Sequence, residues 1–246
     1  MVLEDIEIKT IINEAKDFFR KNVAERHVIN TEKCSSLSEF DVHPFLSLYL
    51  AYFLTGNADS KSIAKAMVLP RVLGTSITTS FGTQFQKFCT HVLAGFASVV
   101  PGLDIEFIDQ IDGRKKYCQV KTGPNTINRD DVDTIDGHFT DIKNLARTNN
   151  LNIAYGDLVV GVLRGTEDEL SNHYKRIKEK CHYPVYAGQE FWHRLTGSPA
   201  FYFDLIEAIA EVALEIDGTD LLETVINRLA KEIEASGIAR LGKMDA

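Results

Sequence analysis

Four polar residues close together in the chain carry groups that could do chemistry jointly: Asp104, Glu106, Gln119 and Lys121. Two carboxylates and an amide offer hard oxygen ligands of the kind that Mg²⁺ prefers, and the backbone carbonyl of Val120 offers another. An ammonium beside them can hold a water molecule and stabilise negative charge on a phosphate. Hydrolysis of a phosphodiester uses such a cation together with a metal ion. The residue types therefore indicate metal-dependent phosphodiester chemistry.

These residues lie on two β-rich runs that the dipeptide 112–113, Asp-Gly, separates. Asp-Gly between alternating runs predicts a hairpin with a two-residue turn. In that register Glu106 faces Gln119, and Asp104 faces Lys121. Because side chains alternate across a strand, the four polar residues share one face of the hairpin. The other face is predicted to be core and carries Ile105, Phe107, Cys118 and Val120.

The polar face also has a simpler interpretation, as a solvated surface with a cross-strand Asp–Lys pair. Such pairs are common and stabilise a sheet only slightly. Asp109 is a second candidate for the first acid. In the predicted register it points to the apolar face, so we prefer Asp104.

Periodicity and turn signals place the hairpin inside an α/β domain with a helical extension. Apolar residues at helical spacing predict helices over 4–26, 44–54, 61–68, 82–94, 130–149, 170–180, 190–195, 201–216 and 221–235. Alternating or continuous apolar runs predict strands over 103–111, 115–121, 158–163 and 185–187. Ser60 is expected to cap the third helix, and Pro70 to end it.

Composition limits the functional classes. The net charge of −8 argues against a general nucleic-acid binder, although an acidic body can carry a local basic cleft. No apolar run reaches the roughly 18 residues that span a bilayer, so we expect no membrane segment. The four cysteines are scattered, which predicts reduced thiols, a cytoplasmic protein and no zinc site. Neither a phosphate-binding GxxxxGK[ST] loop nor a GxGxxG loop occurs.

A family resemblance adds to this chemistry. The segment 102–106, followed by Gln119-Val120-Lys121, resembles the PD-(D/E)XK nuclease motif, an acid on one strand and an acid-X-Lys on the next. Further segments are similar, in the same order, to a small group of homodimeric type II restriction endonucleases that cut GC-rich interrupted palindromes. Those segments are 55–57, 69–74, 159–162 and 186–192. The similarity spans about residues 40–215.

The resemblance implies a restriction-endonuclease-like α/β core, a mixed sheet flanked by helices, with helical N- and C-terminal additions. It implies one endonuclease domain over 1–246. Within that domain we expect a helical part to about residue 80, a catalytic core over about 81–190, and a helical part over about 191–246.

The resemblance also implies roles for single residues. Asp104 matches the metal-binding acid and Lys121 the catalytic lysine. Gln119 stands where the usual acid stands, which leaves open whether Glu106 supplies the second carboxylate. Gln84 resembles a glutamate that lies near the metal in related nucleases, and is equally well an ordinary exposed glutamine.

The loop after Lys121 is a candidate DNA-binding segment. Its polar residues Asn125, Thr126, Asn128 and Arg129 could contact phosphates or base edges. The alternative is a loop of turn-forming residues in which Asn128 caps the next helix.

The resemblance therefore implies Mg²⁺-dependent, sequence-specific hydrolysis of double-stranded DNA that leaves 5′-phosphates. The enzyme is expected to be a homodimer, with a cognate DNA methyltransferase as a genetic partner and not a bound subunit. Two alternatives stay open. With Gln119 in the acid position, the chain could be a non-cleaving DNA-binding module on the same fold. It could also be a structure-specific repair nuclease.

Overall fold

The computed structural model describes residues 5–77, 81, 84, 87, 96–150 and 152–238. Helices before the sheet are α1 (Asp5–Phe19), α2 (Glu25–Lys33), α3 (Pro44–Thr55) and α4 (Ser60–Pro70). The later helices are α5 (Arg129–Thr148), α6 (Asn172–Glu179), α7 (Gln189–Thr196), α8 (Phe201–Ile216) and α9 (Thr219–Ser236). The strands are β1 (Ile105–Ile108), β2 (Lys115–Lys121), β3 (Leu158–Val162) and β4 (Val185–Ala187).

The four strands form one mixed sheet in the order β1-β2-β3-β4. β1 and β2 are antiparallel, whereas β2, β3 and β4 run parallel. Parallel neighbours need crossover connections, which α5 and α6 provide. The mixed sheet flanked by helices, with helical additions on either side in sequence, confirms the predicted fold class.

The predicted hairpin register is wrong by two residues. Ile105 pairs with Cys118, so Glu106 faces Tyr117 and not Gln119. The connection is a four-residue loop over 110–113 in place of the two-residue turn, because the N–H of Asp109 donates to the carbonyl of Arg114 at 2.9 Å.

Local hydrogen bonds at Asp109 explain the longer loop. Its carboxylate accepts from the N–H of Ile111 at 2.9 Å, and its carbonyl accepts from the N–H of Gly113 at 2.8 Å. Gly113 has a φ of +70°, which glycine adopts without steric cost. A shift of two residues preserves the alternation of side chains, so the predicted division of the hairpin into two faces survives.

Helices cover both faces of the sheet. On one face, β3 side chains pack into a core with α5, α6 and β4, and Phe139 and Tyr174 are fully buried there. Gly161 of β3 lies on the opposite face, where the ring of Phe191 from α7 packs against it. Ile105, Phe107 and Cys118 are buried, as predicted, whereas Val120 is only half-buried. In the parallel register Gln119 lies beside Val160, which puts it on the α5 face.

Contacts between residues divide the chain into two compact units. The first contains residues 1–16 and 85–209, and includes the sheet. The second contains residues 17–84 and 210–246, so it combines the predicted N- and C-terminal helical parts. The assignment of 1–246 to a single endonuclease domain stays a prediction.

The second unit has its own core, in which α3, α4 and α9 bury apolar side chains such as Ile63 and Leu229. Asp59, and not the predicted Ser60, caps α4, because its carboxylate accepts from the N–H of Ser62 at 2.7 Å. α4 ends at Pro70, as predicted, and the chain continues as a π-helical turn over Arg71–Ser76. The helix predicted over 82–94 lies mostly outside the described residues. In the part of the chain that the structure describes, no helix is long and apolar enough to cross a membrane.

Candidate active site

Asp104 joins the end of β1 to the end of β2. Its N–H donates to the carbonyl of Cys118 at 3.0 Å, and its Oδ2 accepts from the N–H of Val120 at 2.6 Å. The regular pairing of β1 with β2 begins only at the next residue, Ile105. The carboxylate therefore accepts a hydrogen bond from the backbone of β2 beyond the last residue pair of the two strands. The donor, Val120, is the residue directly after Gln119. The side chain remains exposed, and its Oδ1 accepts no hydrogen bond from the described residues.

Gln119 is 6% exposed, and protein groups hold its amide nitrogen. Nε2 lies 2.7 Å from the carbonyl oxygen of Gly102 and 2.9 Å from Nδ1 of His138 on α5. An amide N–H₂ only donates, so Nδ1 of His138 accepts and the ring proton resides on Nε2. Both donors of Gln119 are thereby used, and its Oε1 remains for another partner.

Lys121 is the last residue of β2, and its side chain is half-buried. The carbonyl of Lys121 accepts from the N–H of Leu163, which ties its backbone to β3 at 2.9 Å. Side chains two apart on a strand share a face, so Lys121 and Gln119 lie on the same side of β2. Within the described ranges the ammonium of Lys121 has no ion-pair partner. It is a cation held by a rigid strand and available to an anion.

Glu106 has other partners. Its Oε2 pairs with Nζ of Lys115 at 2.7 Å, and its Oε1 accepts from the hydroxyl of Ser98 at 2.6 Å. Burial raises the pKa of Glu106, but the hydrogen bonds from Lys115 and Ser98 outweigh it and hold the pKa below its usual range. The structure therefore does not bring Glu106 together with Gln119, and its catalytic role stays a prediction.

Asp109, the rival first acid, is fully buried at the other end of the hairpin. Its Oδ2 pairs with Nη1 of Arg194 from α7 at 2.9 Å. The backbone joins the same contact, because the N–H of Gln110 donates to the carbonyl of Arg194 at 2.8 Å. These contacts anchor the hairpin loop to α7, which favours Asp104 as the acid of the site.

All four DNA-binding candidates after Lys121 are exposed, and two of them also make hydrogen bonds within the chain. Oδ1 of Asn128 accepts from the N–H groups of Asp130 and Asp131, so the predicted cap of α5 is confirmed. The hydroxyl of Thr126 donates to the carbonyl of Gly123 at 2.8 Å. The remaining candidates, Asn125 and Arg129, are exposed. None of these contacts tests DNA binding by the loop.

Gln84 is 8% exposed, so its interpretation as an ordinary exposed glutamine is wrong. Its neighbour Gln86 lies outside the described residues.

The profile of a family described as type II restriction endonuclease EcoO109I matches residues 13–217. This chain belongs to that family. No curated protein sequence matches the chain. A type II restriction endonuclease binds DNA and cleaves it at specific sequences, so the chain is a site-specific deoxyribonuclease.

Members of such families generally use divalent metal ions. In this restriction endonuclease the candidate donors for one are Oδ1 of Asp104 and Oε1 of Gln119, the side-chain atoms that the hydrogen bonds above leave unused. Both are hard oxygens, and Mg²⁺ is commonly bound through one or two carboxylates, with waters and substrate phosphates as the other ligands. The donor set therefore fits Mg²⁺. The described residues contain no cluster of three or more His, Cys, Asp or Glu side chains that could hold a metal ion.

Two residues near the candidate site, His138 and Arg164, were not predicted from the sequence. His138 has no metal-ligand spacing to other histidines, and only its position on α5 brings it to Gln119. Arg164 follows β3, and its guanidinium packs on Gly123, so that a Cβ at Gly123 would lie 2.9 Å from Nη2. Because β2 and β3 are parallel, Arg164 and Lys121 both lie at the carboxyl ends of their strands, on the same side of the sheet's end. An arginine directly after a buried strand was the available signal for it.

Proposed function

We propose that this restriction endonuclease is a Mg²⁺-dependent enzyme of the PD-(D/E)XK type that hydrolyses double-stranded DNA and leaves 5′-phosphates. The observation that carries the proposal is the 2.6 Å hydrogen bond from the N–H of Val120 to Asp104. It ties the first acid to the strand that presents Gln119 and Lys121. An acid, a neutral oxygen and a free cation are thereby grouped at one strand end.

Asp104 and Gln119 would hold the metal ion through Oδ1 and Oε1, with the carbonyl of Val120 as a third ligand. When bound, Mg²⁺ would lower the pKa of a coordinated water and neutralise charge on the scissile phosphate. Glu106 would join these ligands only by giving up Lys115 or Ser98. Its proposed part as second carboxylate is therefore conditional on that rearrangement.

Lys121 would donate to a non-bridging oxygen of the scissile phosphate or to the attacking water. Its strand position supports this role, since a fixed cation needs no reorganisation as charge develops. Asn125, Thr126, Asn128 and Arg129 would contact DNA next to it. Exposed Arg129 suits a phosphate, and the amide of Asn128 that remains after capping suits a hydrogen bond to phosphate or base.

We further propose a homodimer that cuts a GC-rich interrupted palindrome, because a two-fold site is matched by a two-fold protein. A cognate DNA methyltransferase would protect the host genome without being a subunit. We place the enzyme in the cytoplasm, where thiols such as the buried Cys34 and Cys118 stay reduced.

Substitution of Lys121 tests the proposal directly. Lys121→Ala should lower the cleavage of plasmid or phage DNA with Mg²⁺ by roughly 100-fold or more and leave DNA binding measurable. Lys178→Ala is the control, because it also removes a lysine that pairs with a glutamate, Glu167, and neither residue belongs to the candidate site. We expect that variant to cleave at close to the wild-type rate. Cleavage by Lys121→Ala at the control rate would overturn the assignment.

The neutral Gln119 favours the alternative of a non-cleaving DNA-binding module, since an amide supplies no charge where the usual acid stands. Digestion of phage DNA by the wild-type protein separates the two functions. Discrete fragments that require Mg²⁺ favour the nuclease. Binding to specific fragments without any cleavage would favour the binding module.

A further inference from the structure

We infer that His138 is a positioning residue that fixes Gln119 as an amide ligand, so that the site is built for glutamine and not for the acid that usually occupies this position. The inference rests on the proposed function, because it assigns Oε1 of Gln119 to the metal ion. It goes beyond that function because it assigns a role to His138, which would touch neither substrate nor metal and would act through Gln119.

The orientation of the Gln119 amide is determined by its neighbours. The carbonyl of Gly102 can only accept, so the atom 2.7 Å away must be the amide nitrogen. The second N–H of that nitrogen donates to Nδ1 of His138 at 2.9 Å. With both donors used and the side chain buried, the amide cannot rotate without losing two hydrogen bonds. Its Oε1 is therefore held in one direction.

The backbone at Gly102 is shaped to let His138 approach. A Cβ built on Gly102 would lie 2.8 Å from Cγ of His138, which is closer than carbon atoms pack. Gly102 also has a φ of +83°, a conformation that side-chain-bearing residues rarely adopt. The close contact places the carbonyl of Gly102 and the ring of His138 next to the same atom, Nε2 of Gln119. The arrangement is a three-residue lock made of Gly102, Gln119 and His138.

A glutamate at position 119 would conflict with this lock. One carboxylate oxygen would replace Nε2, only 2.7 Å from the carbonyl oxygen of Gly102, and two acceptors repel each other at that distance. Nδ1 of His138, which accepts the present hydrogen bond, could pair with the carboxylate only if the ring proton moved to Nδ1, and the repulsion at Gly102 would remain. Leaving buried polar groups unpaired is costly, so the carboxylate would turn away from its ligand position. Restoring the usual acid should therefore impair the enzyme.

Three variants test the inference. His138→Leu keeps a side chain of similar size but removes the acceptor Nδ1. In His138→Asn, Oδ1 is bonded to Cγ as Nδ1 is in histidine, so an acceptor is kept. Gln119→Glu introduces the acid. For each protein we would measure Mn²⁺ binding without DNA, by electron paramagnetic resonance of the free ion, and DNA cleavage as a function of Mg²⁺ concentration. Thermal unfolding would verify that each variant is folded.

We expect His138→Leu to weaken Mn²⁺ binding by roughly 10- to 100-fold, as for other residues that orient a metal ligand. Its cleavage rate should recover at saturating Mg²⁺, since the ligands themselves are present. His138→Asn should restore most of the affinity. Gln119→Glu should cleave at least about tenfold more slowly than wild type.

Wild-type affinity in His138→Leu, or cleavage by Gln119→Glu as fast as wild type, would overturn the inference. If His138→Leu does not fold, the Gln119→Glu result decides. A wild-type protein that binds Mn²⁺ but cuts no DNA would instead overturn the proposed function, and the metal affinities of the variants would still decide the role of His138.

Discussion

Asp104 accepts a hydrogen bond from the N–H of Val120 at 2.6 Å, so a carboxylate from one strand completes the hydrogen bonding of the next. The bond uses one oxygen of the side chain and leaves the other for a ligand. The structural hydrogen bond of Asp104 uses Oδ2, whereas the proposed metal ligand is Oδ1. A mutation can therefore remove the charge and keep the hydrogen bond.

Asp104→Asn separates them. The amide oxygen of asparagine can still accept from Val120, so we expect an unchanged melting temperature. Loss of the negative charge should lower Mg²⁺-dependent cleavage by roughly 100-fold or more. Asp104→Ala removes the acceptor as well and should also melt at a lower temperature. An Asp104→Asn enzyme that cleaves like wild type would rule out Asp104 as the metal-binding acid.

Asn128 should matter to stability through its cap. Asn128→Ala removes the acceptor for the N–H groups of Asp130 and Asp131 and should lower the free energy of unfolding by ~1 kcal/mol. Asn128→Ser keeps a capping oxygen and should lose much less. Chemical denaturation of the three proteins measures the difference. Equal losses for Ala and Ser would show that the cap contributes little.

Arg129, by contrast, should matter to DNA and not to stability. It is exposed, and a phosphate contact releases about one counterion. Arg129→Ala should therefore weaken binding similarly for all DNA sequences and reduce the salt slope of log K by about 1. Binding titrations at several salt concentrations measure that slope. An unchanged slope would remove Arg129 from the DNA interface.

The buried pair of Asp109 and Arg194 should dominate the stability of the hairpin loop. Asp109 is fully buried, so Asp109→Ala leaves Arg194 without its buried partner and should cost about 3–5 kcal/mol of unfolding free energy. Glu190, the other and more exposed partner of Arg194, provides the control. Glu190→Ala should cost no more than about 1 kcal/mol. Similar losses for both variants would contradict the assignment.

Asp157 should make stability depend on pH. Burial raises its pKa, but hydrogen bonds from Arg114 and Ala154, with the charges of Arg114 and Lys116, outweigh that effect and lower the pKa. A carboxyl whose pKa is lower in the folded state stabilises the protein above its unfolded pKa, about 3.9. That stabilisation is lost as pH falls through the folded pKa.

The melting temperature of wild type, compared with Asp157→Asn from neutral to acidic pH, measures this contribution. Wild type should be the more stable protein at neutral pH, and the difference should shrink as the solution becomes acidic. A difference that does not vary with pH would show that the charge of Asp157 has no part in it.

The sequence by itself determined the elements and the faces of this protein. Apolar spacing repeats every two or every 3.6 residues, so α5, β3 and the buried face with Ile105, Phe107 and Cys118 follow from local periodicity. The fold class and the family follow from the order of those elements and segments. Even a register error of two residues left the faces intact, because the strand period is two.

Only the tertiary structure decided which groups meet. Asp109, from which the hairpin loop starts, pairs with Arg194, a residue 85 positions away. The folded chain also decides that Glu106 pairs with Lys115 across the hairpin and that His138 on α5 orients the amide of Gln119. Ion pairs and hydrogen bonds between distant residues have no local period, so no spacing in the sequence announces them. They form when the hairpin closes and when α5 and α7 pack against the sheet.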